Sequence, residues 1–132
     1  QNIQLRKTLN NIYNIIMSVL IIINDQPSSG KTWNALRLSA ALVGKDEEVE
    51  VFLMNDGVFN VMKNQKAPTE IEGQMTSHKI KELISLGVRF FYCSQCLETR
   101  GIEESQIADN VEKSNLPKLA DFIKKSEKVI TF

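Results

Sequence analysis

The chain has 132 residues, enough for one domain with a real core. Lys plus Arg number 16 and Asp plus Glu number 16, so the net charge is zero, which argues against a general nucleic-acid binder with its basic excess. Two cysteines three residues apart cannot staple distant elements, so a reduced, cytoplasmic setting is expected; no apolar run nears the ~20 residues of a membrane helix, and no secretory cleavage site comes after Val19 to Ile23.

Residues 1–17 stand apart. They are rich in Asn (Asn2, Asn10, Asn11, Asn14) and place Leu5, Leu9, Ile12 and Ile16 at helical spacing, and Met17 is a natural start for the domain proper. They read as an N-terminal extension of natural or cloning origin, with an amphipathic helix packed on the domain or on a partner subunit as the alternative. Residues 18–132 read as a single α/β domain. Ser18 to Asn24 is an unbroken β-branched run, the mark of a strand covered on both faces. Asp25 to Gly30 is turn chemistry. Thr32 to Val43 is a helix whose inner face is Trp33, Leu36, Ala40 and Val43, widened by Leu38 and Leu42, and Gly44 stops it. Glu48 to Met54 is a second strand. Asn55 or Asp56 is expected to cap a helix from about Gly57 to Asn64. A loop with Pro68 spans Gln65 to Gly73. Met75 to Leu86 is a helix with Ile80, Leu83 and Ile84 inward, closed by Gly87.

Val88 to Tyr92 is a short buried strand of β-branched and aromatic residues that runs into Cys93-Ser94-Gln95-Cys96. A helical turn from Ser94 would set Cys93 where unpaired amides favour a thiolate, and Gly101 would close the turn in the left-handed conformation. Ile102 to Asn110 is loop or short helix, and Val111 to Lys113 a short strand. Asn115-Leu116-Pro117 opens a helix with Leu116, Leu119, Ala120 and Ile123 inward and Lys124 and Lys125 at its negative end. Val129 to Phe132 is the last strand. Strands alternating with helices predict a mostly parallel, five-stranded sheet with helices on both faces. The loops after Asn24, Met54 and Cys93 then share the carboxyl edge, where such sheets bind ligands.

Ser29-Gly30-Lys31-Thr32 copies the tail of a phosphate-binding loop, but the first glycine of that pattern falls on Asp25, whose carboxylate would repel phosphate. The stretch reads instead as a helix-capping turn. No metal is expected, because His78 is the single histidine and four N/S ligands cannot be gathered. His78 reads as a solvated residue, Glu103, Glu104 and Asp109 as a solvated acidic patch, and Met54, Met62 and Met75 as core fillers. For the cysteine pair three readings stay open: a dithiol redox couple, a persulfide carrier, or two structural thiols.

Several stretches are similar to the DsrE/DsrF/TusD-type sulfur-relay family, in its small two-cysteine form. They are Val19 to Asp25, Asn34 to Leu38, Val51 to Asp56, Gln65-Lys66, Cys93 to Ile102, Asp121, and Lys128 to Phe132. The specific part is Cys-x-x-Cys with Arg100-Gly101 after it. The resemblance implies a three-layer α/β/α, flavodoxin-like fold and assembly into a homo-oligomer, trimer or hexamer. It implies a sulfur carrier or sulfurtransferase in which Cys93 accepts sulfane sulfur and hands it to a partner. Cys96 maps onto a second cysteine of some members. Arg100, Lys66 and Asp25 are assigned to the pocket or to thiolate stabilisation. Sulfur donor and acceptor proteins are the implied partners, with no nucleic acid, no membrane and no cofactor. The alternatives are a thiol–disulfide protein using both cysteines, or an oligomeric small-ligand-binding module without catalysis. The loop Gln26 to Lys31 lacks the family's aromatic and glycine pattern, and residues 1–16 have no family counterpart.

Overall fold

The structure is a computed structural model that describes residues 18–66 and 74–132, together with Gln4, Leu5 and Thr8, which are helical and exposed. The remaining extension residues, Met17 among them, and the loop residues 67–73 with Pro68 lie outside the described residues.

In chain order the elements are β1 (Val19–Ile23), α1 (Gly30–Gly44), β2 (Val49–Leu53), a 3-10 helix (Asn55–Val61), α2 (Thr76–Ser85), β3 (Arg89–Cys93), α3 (Ser94–Thr99), a 3-10 turn (Glu104–Gln106), β4 (Glu112–Ser114), α4 (Leu116–Lys125) and β5 (Lys128–Thr131). The five strands form one sheet in the order β4-β3-β2-β1-β5, and every pairing is parallel. Connections from β1 to β4 all step one way across the sheet, so right-handed crossovers put α1, α2 and α3 on the same face. The connection from β4 to β5 reverses, and α4 crosses the other face. This gives the expected three α/β/α layers, with a strand order that the sequence left open.

Two cores arise from the period-2 alternation of strand side chains. On one face Val19, Ile21, Ile23, Val51, Leu53, Phe90 and Tyr92 meet Ala35 and Leu36 of α1, Ile80 and Leu83 of α2, and Leu97 of α3. On the other face Leu20, Ile22, Phe52, Phe91 and Cys93 meet Leu119, with Phe122 packed against them.

Two helices present faces other than the expected ones. In α1 the buried residues are Thr32, Ala35, Leu36 and Ser39, while Trp33, Ala40 and Val43 are only half-buried. Small side chains at this spacing let the helix lie close to the sheet, and their hydroxyls are satisfied locally: Ser39 Oγ donates to the Ala35 carbonyl at 2.9 Å and Thr32 Oγ1 to that of Asp25 at 2.9 Å. In α4 Leu119 is buried, but Leu116 is 49% exposed and Ile123 43%. Phe122 takes the inner position instead, its ring 4.6 Å from that of Phe91. An aromatic pair stabilises by more than its area alone, so the helix turns toward it.

The helix expected from Gly57 to Asn64 is the 3-10 helix ending at Val61. Its N-cap is Met54 without a side-chain bond, not Asn55 or Asp56. Asn55 instead has a positive φ of 51°, which Asn tolerates better than most residues. β4 begins at Glu112, one residue later than expected, and β5 begins at Lys128, one residue earlier. Among the described residues no helix is long and apolar enough to cross a membrane.

Candidate functional site

β3 buries Phe90, Phe91, Tyr92 and Cys93 and stops at the carboxyl edge of the sheet, between β2 and β4. The chain turns at once into α3, anchored by buried Leu97. Gly101 closes the helix with φ 66°, as expected, and the Ile102 amide bonds back to the Leu97 carbonyl at 3.0 Å.

The two thiols are free and differ in exposure: Cys93 is 3% exposed and Cys96 is partly exposed. Cys93 lies in the apolar cluster of Leu20, Ile22, Phe52, Phe91 and Leu119. Strand alternation puts its side chain on the α4 face, and α4 screens it. A sulfur acceptor at Cys93, as the resemblance implies, is therefore not directly reachable within one chain. Cys93 is the N-cap of α3, but its side chain makes no capping hydrogen bond.

Cys96 stands beside it at the surface. Its Sγ accepts a hydrogen bond from the Asn55 backbone amide at 3.2 Å. Burial, and then a hydrogen bond with the Cys93 thiol, push the Cys96 thiol above its ordinary pKa, against weaker opposing effects of the Asn55 amide and Arg100. A thiol whose folded pKa is raised stabilises the fold below its unfolded pKa and loses that contribution as pH rises through the folded value. Alkylation of Cys96 in the folded protein should therefore reach half its maximal rate at a higher pH than in the urea-unfolded chain. Equal midpoints would contradict this environment.

Polar residues from neighbouring strand ends frame the pair. Asn55 Nδ2 donates to Asn24 Oδ1 at 2.8 Å, and Asn24 Nδ2 donates to the Phe132 carbonyl at 3.0 Å. Arg100 Nε donates to Asp56 Oδ1 at 3.0 Å, and its Nη1 to the Cys96 carbonyl at 3.2 Å. Arg100 thus ties α3 to the β2 end and brings a positive charge near Cys96.

The other expected site residues lie elsewhere. Asp25 serves the turn after β1: its Oδ2 accepts from Ser29 Oγ at 2.9 Å and its carbonyl from Asn60 Nδ2 at 2.9 Å. Ser29 caps α1, as expected of a helix-capping turn, by accepting from the Lys31 amide at 3.2 Å. Lys66 is exposed at the end of the described part of its loop, and no hydrogen bond or ion pair among the described residues ties it to either cysteine. Its neighbour Gln65 works structurally, accepting from the Thr76 hydroxyl at 3.2 Å and the Ser77 amide at 3.3 Å at the start of α2. His78 is exposed, as are Glu103, Glu104 and Asp109, while Met54, Met62 and Met75 are half-buried. A cavity at the amino end of α2, lined by Asn60, Gln65, His78 and Lys81 among others, includes neither cysteine. Among the described residues no group of three or more His, Cys, Asp or Glu is placed to hold a metal.

Sequence reading missed Asn24 and Asn55 as site residues. Asn24 and Asn55 each come directly after an apolar strand run, a position that leaves a polar side chain on the carboxyl edge.

A family model described as DsrE/DsrF-like matches residues 17–132. Protein YchN of Escherichia coli is 30% identical over 120 residues, covering 89% of this chain and all of the relative. Its crystal structure superposes with a TM-score of 0.80, covering 88% of this chain and 99% of that one. The uncharacterized protein MJ0989 of Methanocaldococcus jannaschii is 28% identical over 117 residues, 88% of this chain and all of the relative. Protein TusC of Buchnera aphidicola is 29% identical over 107 residues, 80% of this chain and 87% of the relative.

Proposed function

The chain belongs to the DsrE/DsrF-like family, and from that premise we propose that it is a sulfur-relay protein in which Cys93 carries sulfane sulfur as a persulfide. The observation that supports this reading is the pairing, across one short helix, of a screened sulfur at Cys93 with a partly exposed one at Cys96. An exposed persulfide is lost to any passing thiol, whereas a screened one is kept for a chosen acceptor.

The exposed thiol is the one that a donor meets first. The Cys96 thiolate attacks the outer sulfur of a protonated donor persulfide, the donor's S–S bond breaks, and the donor leaves as a thiolate. The Cys93 thiolate then attacks the same outer sulfur, and Cys96 leaves as a thiolate. Each step forms one S–S bond and breaks one, with no net oxidation. Cys96 packs against the apolar cluster that holds Cys93, one helical turn away, so the second step needs little movement. Arg100 favours the thiolate at Cys96. To test the proposal, the protein is incubated with a persulfide donor and weighed intact. Wild type should gain one sulfur atom and Cys93→Ser should retain none; full retention in Cys93→Ser would overturn the assignment.

The reading includes a homo-oligomer, a trimer or hexamer. Leu116, Ile123 and Val129, 49%, 43% and 40% exposed, leave apolar surface uncovered on the α4 side. Light scattering should give a multiple of the chain mass, and a double Leu116→Glu, Ile123→Glu variant should lower it. A wild-type monomer would remove this part of the proposal. A second reading, a Cys93–Cys96 disulfide couple, is favoured by the same thiol contact. It predicts a mass loss of two hydrogens under mild oxidant with no sulfur gain from a persulfide donor.

A further inference from the structure

Ser114 ends β4 and is the register partner of Cys93. Side chains of register partners in adjacent strands leave the same face of the sheet, about 4.8 Å apart. Ser114 is 2% exposed, and its Oγ is a buried polar atom without a hydrogen-bond partner among the described residues. A buried hydroxyl left unpaired is destabilising, and folds rarely keep one without a use. A serine whose sole task was to fill space would be better replaced by alanine.

We infer that Ser114 is a positioning residue: its hydroxyl donates a hydrogen bond to the terminal sulfur anion of a persulfide on Cys93. The inference rests on the sulfur-carrier reading and deepens it. In the thiol form Ser114 Oγ has no partner among the described residues, so Cys93 Sγ does not satisfy it. A persulfide extends the side chain by one S–S bond, about 2.05 Å. That extension is of the size needed to close the remaining gap between neighbouring strands. The hydrogen bond therefore forms in the loaded state and not in the empty one, which biases the protein toward holding sulfur. No bond is made or broken covalently in this step; the persulfide loses its proton to solvent and the anion is held by the hydroxyl.

The other ionisable groups around Cys93 are already engaged or solvated. Cys96 adjoins it on α3, where Arg100 is paired with Asp56 and Glu98 is exposed. On β4 Lys113 is paired with Glu104 and Glu112 with Arg89, while Lys118 and Asp121 of α4 are exposed. On β2 Glu50 lies toward the amino end, beside Arg89.

The test compares Ser114→Ala and Ser114→Thr with wild type, each keeping Cys96 as the entry thiol, by ultraviolet pH titration of the persulfide absorbance before and after loading with a persulfide donor. The empty proteins should titrate alike. The loaded Ser114→Ala protein should show its persulfide midpoint raised by about one pH unit, and Ser114→Thr should restore the wild-type value. Unchanged loaded midpoints in proteins that do load would overturn the inference and leave the carrier reading intact. Failure of the Ser114-containing protein to load would overturn both. A shift of equal size in empty and loaded proteins would show a general structural role instead and also overturn it. If Ser114→Ala does not fold, Ser114→Val against Ser114→Thr gives the same comparison at constant shape.

Discussion

Replacing Gly57 with alanine is expected to destabilise the protein by about 3 kcal/mol or more. A Cβ at Gly57 would fall inside contact distance of the Ile23 carbonyl oxygen and 3.0 Å from its carbon. That carbonyl is rigid backbone at the end of β1, and it also accepts the Met54 amide at 3.0 Å. A flexible side chain could swing aside, but here the 3-10 helix must lift off β1 or the bond at the end of the β1–β2 ladder must break. The same displacement moves Asn55, whose amide reaches Cys96. Urea unfolding should show the loss as a lower midpoint at an unchanged slope. A change below about 0.5 kcal/mol would mean that the backbone there is not packed as described.

The second large effect is expected from Leu119→Ala. Leu119 is the buried residue of α4, and this helix alone covers the Cys93 face of the sheet among the described elements. Truncating a buried leucine costs about 2–5 kcal/mol through lost burial and the cavity left behind. A thin layer can collapse or drift, so the cost should fall toward the lower half of that range. The same change removes part of the screen over Cys93. Alkylation of Cys93 in the folded protein should accelerate while that of Cys96 barely changes. A stable variant with an unaltered Cys93 rate would show that α4 does not control access to the sulfur.

The strands were legible in the sequence because buried parallel strands are apolar without alternation, as in Val19 to Ile23 and Phe90 to Tyr92. The position of Cys93 at a strand end, before a short helix closed by Gly101, was legible for the same reason. Helix faces were less so. In α1 leucines and alanines surround the helix, and what decided its face was the close approach allowed by Thr32, Ala35 and Ser39. In α4 a leucine–isoleucine stripe competed with Phe122, and the ring of Phe91 on another element decided the outcome. The burial of Cys93 depends on α4 crossing back over β3, which is set by strand order rather than by local pattern. Ser114 was hidden for a similar reason. Its strand, Glu-Lys-Ser, carries no apolar signal, and its importance lies in its partner across the sheet.

The most direct measurement is to find which sulfur holds the transferred atom. The protein is loaded with a persulfide donor, trapped by alkylation at once, digested and sequenced by mass spectrometry. The extra sulfur is expected on Cys93, with Cys96 recovered as a simple alkylated thiol. Extra sulfur confined to Cys96, or a Cys93–Cys96 disulfide with no added sulfur, would contradict the carrier role of Cys93.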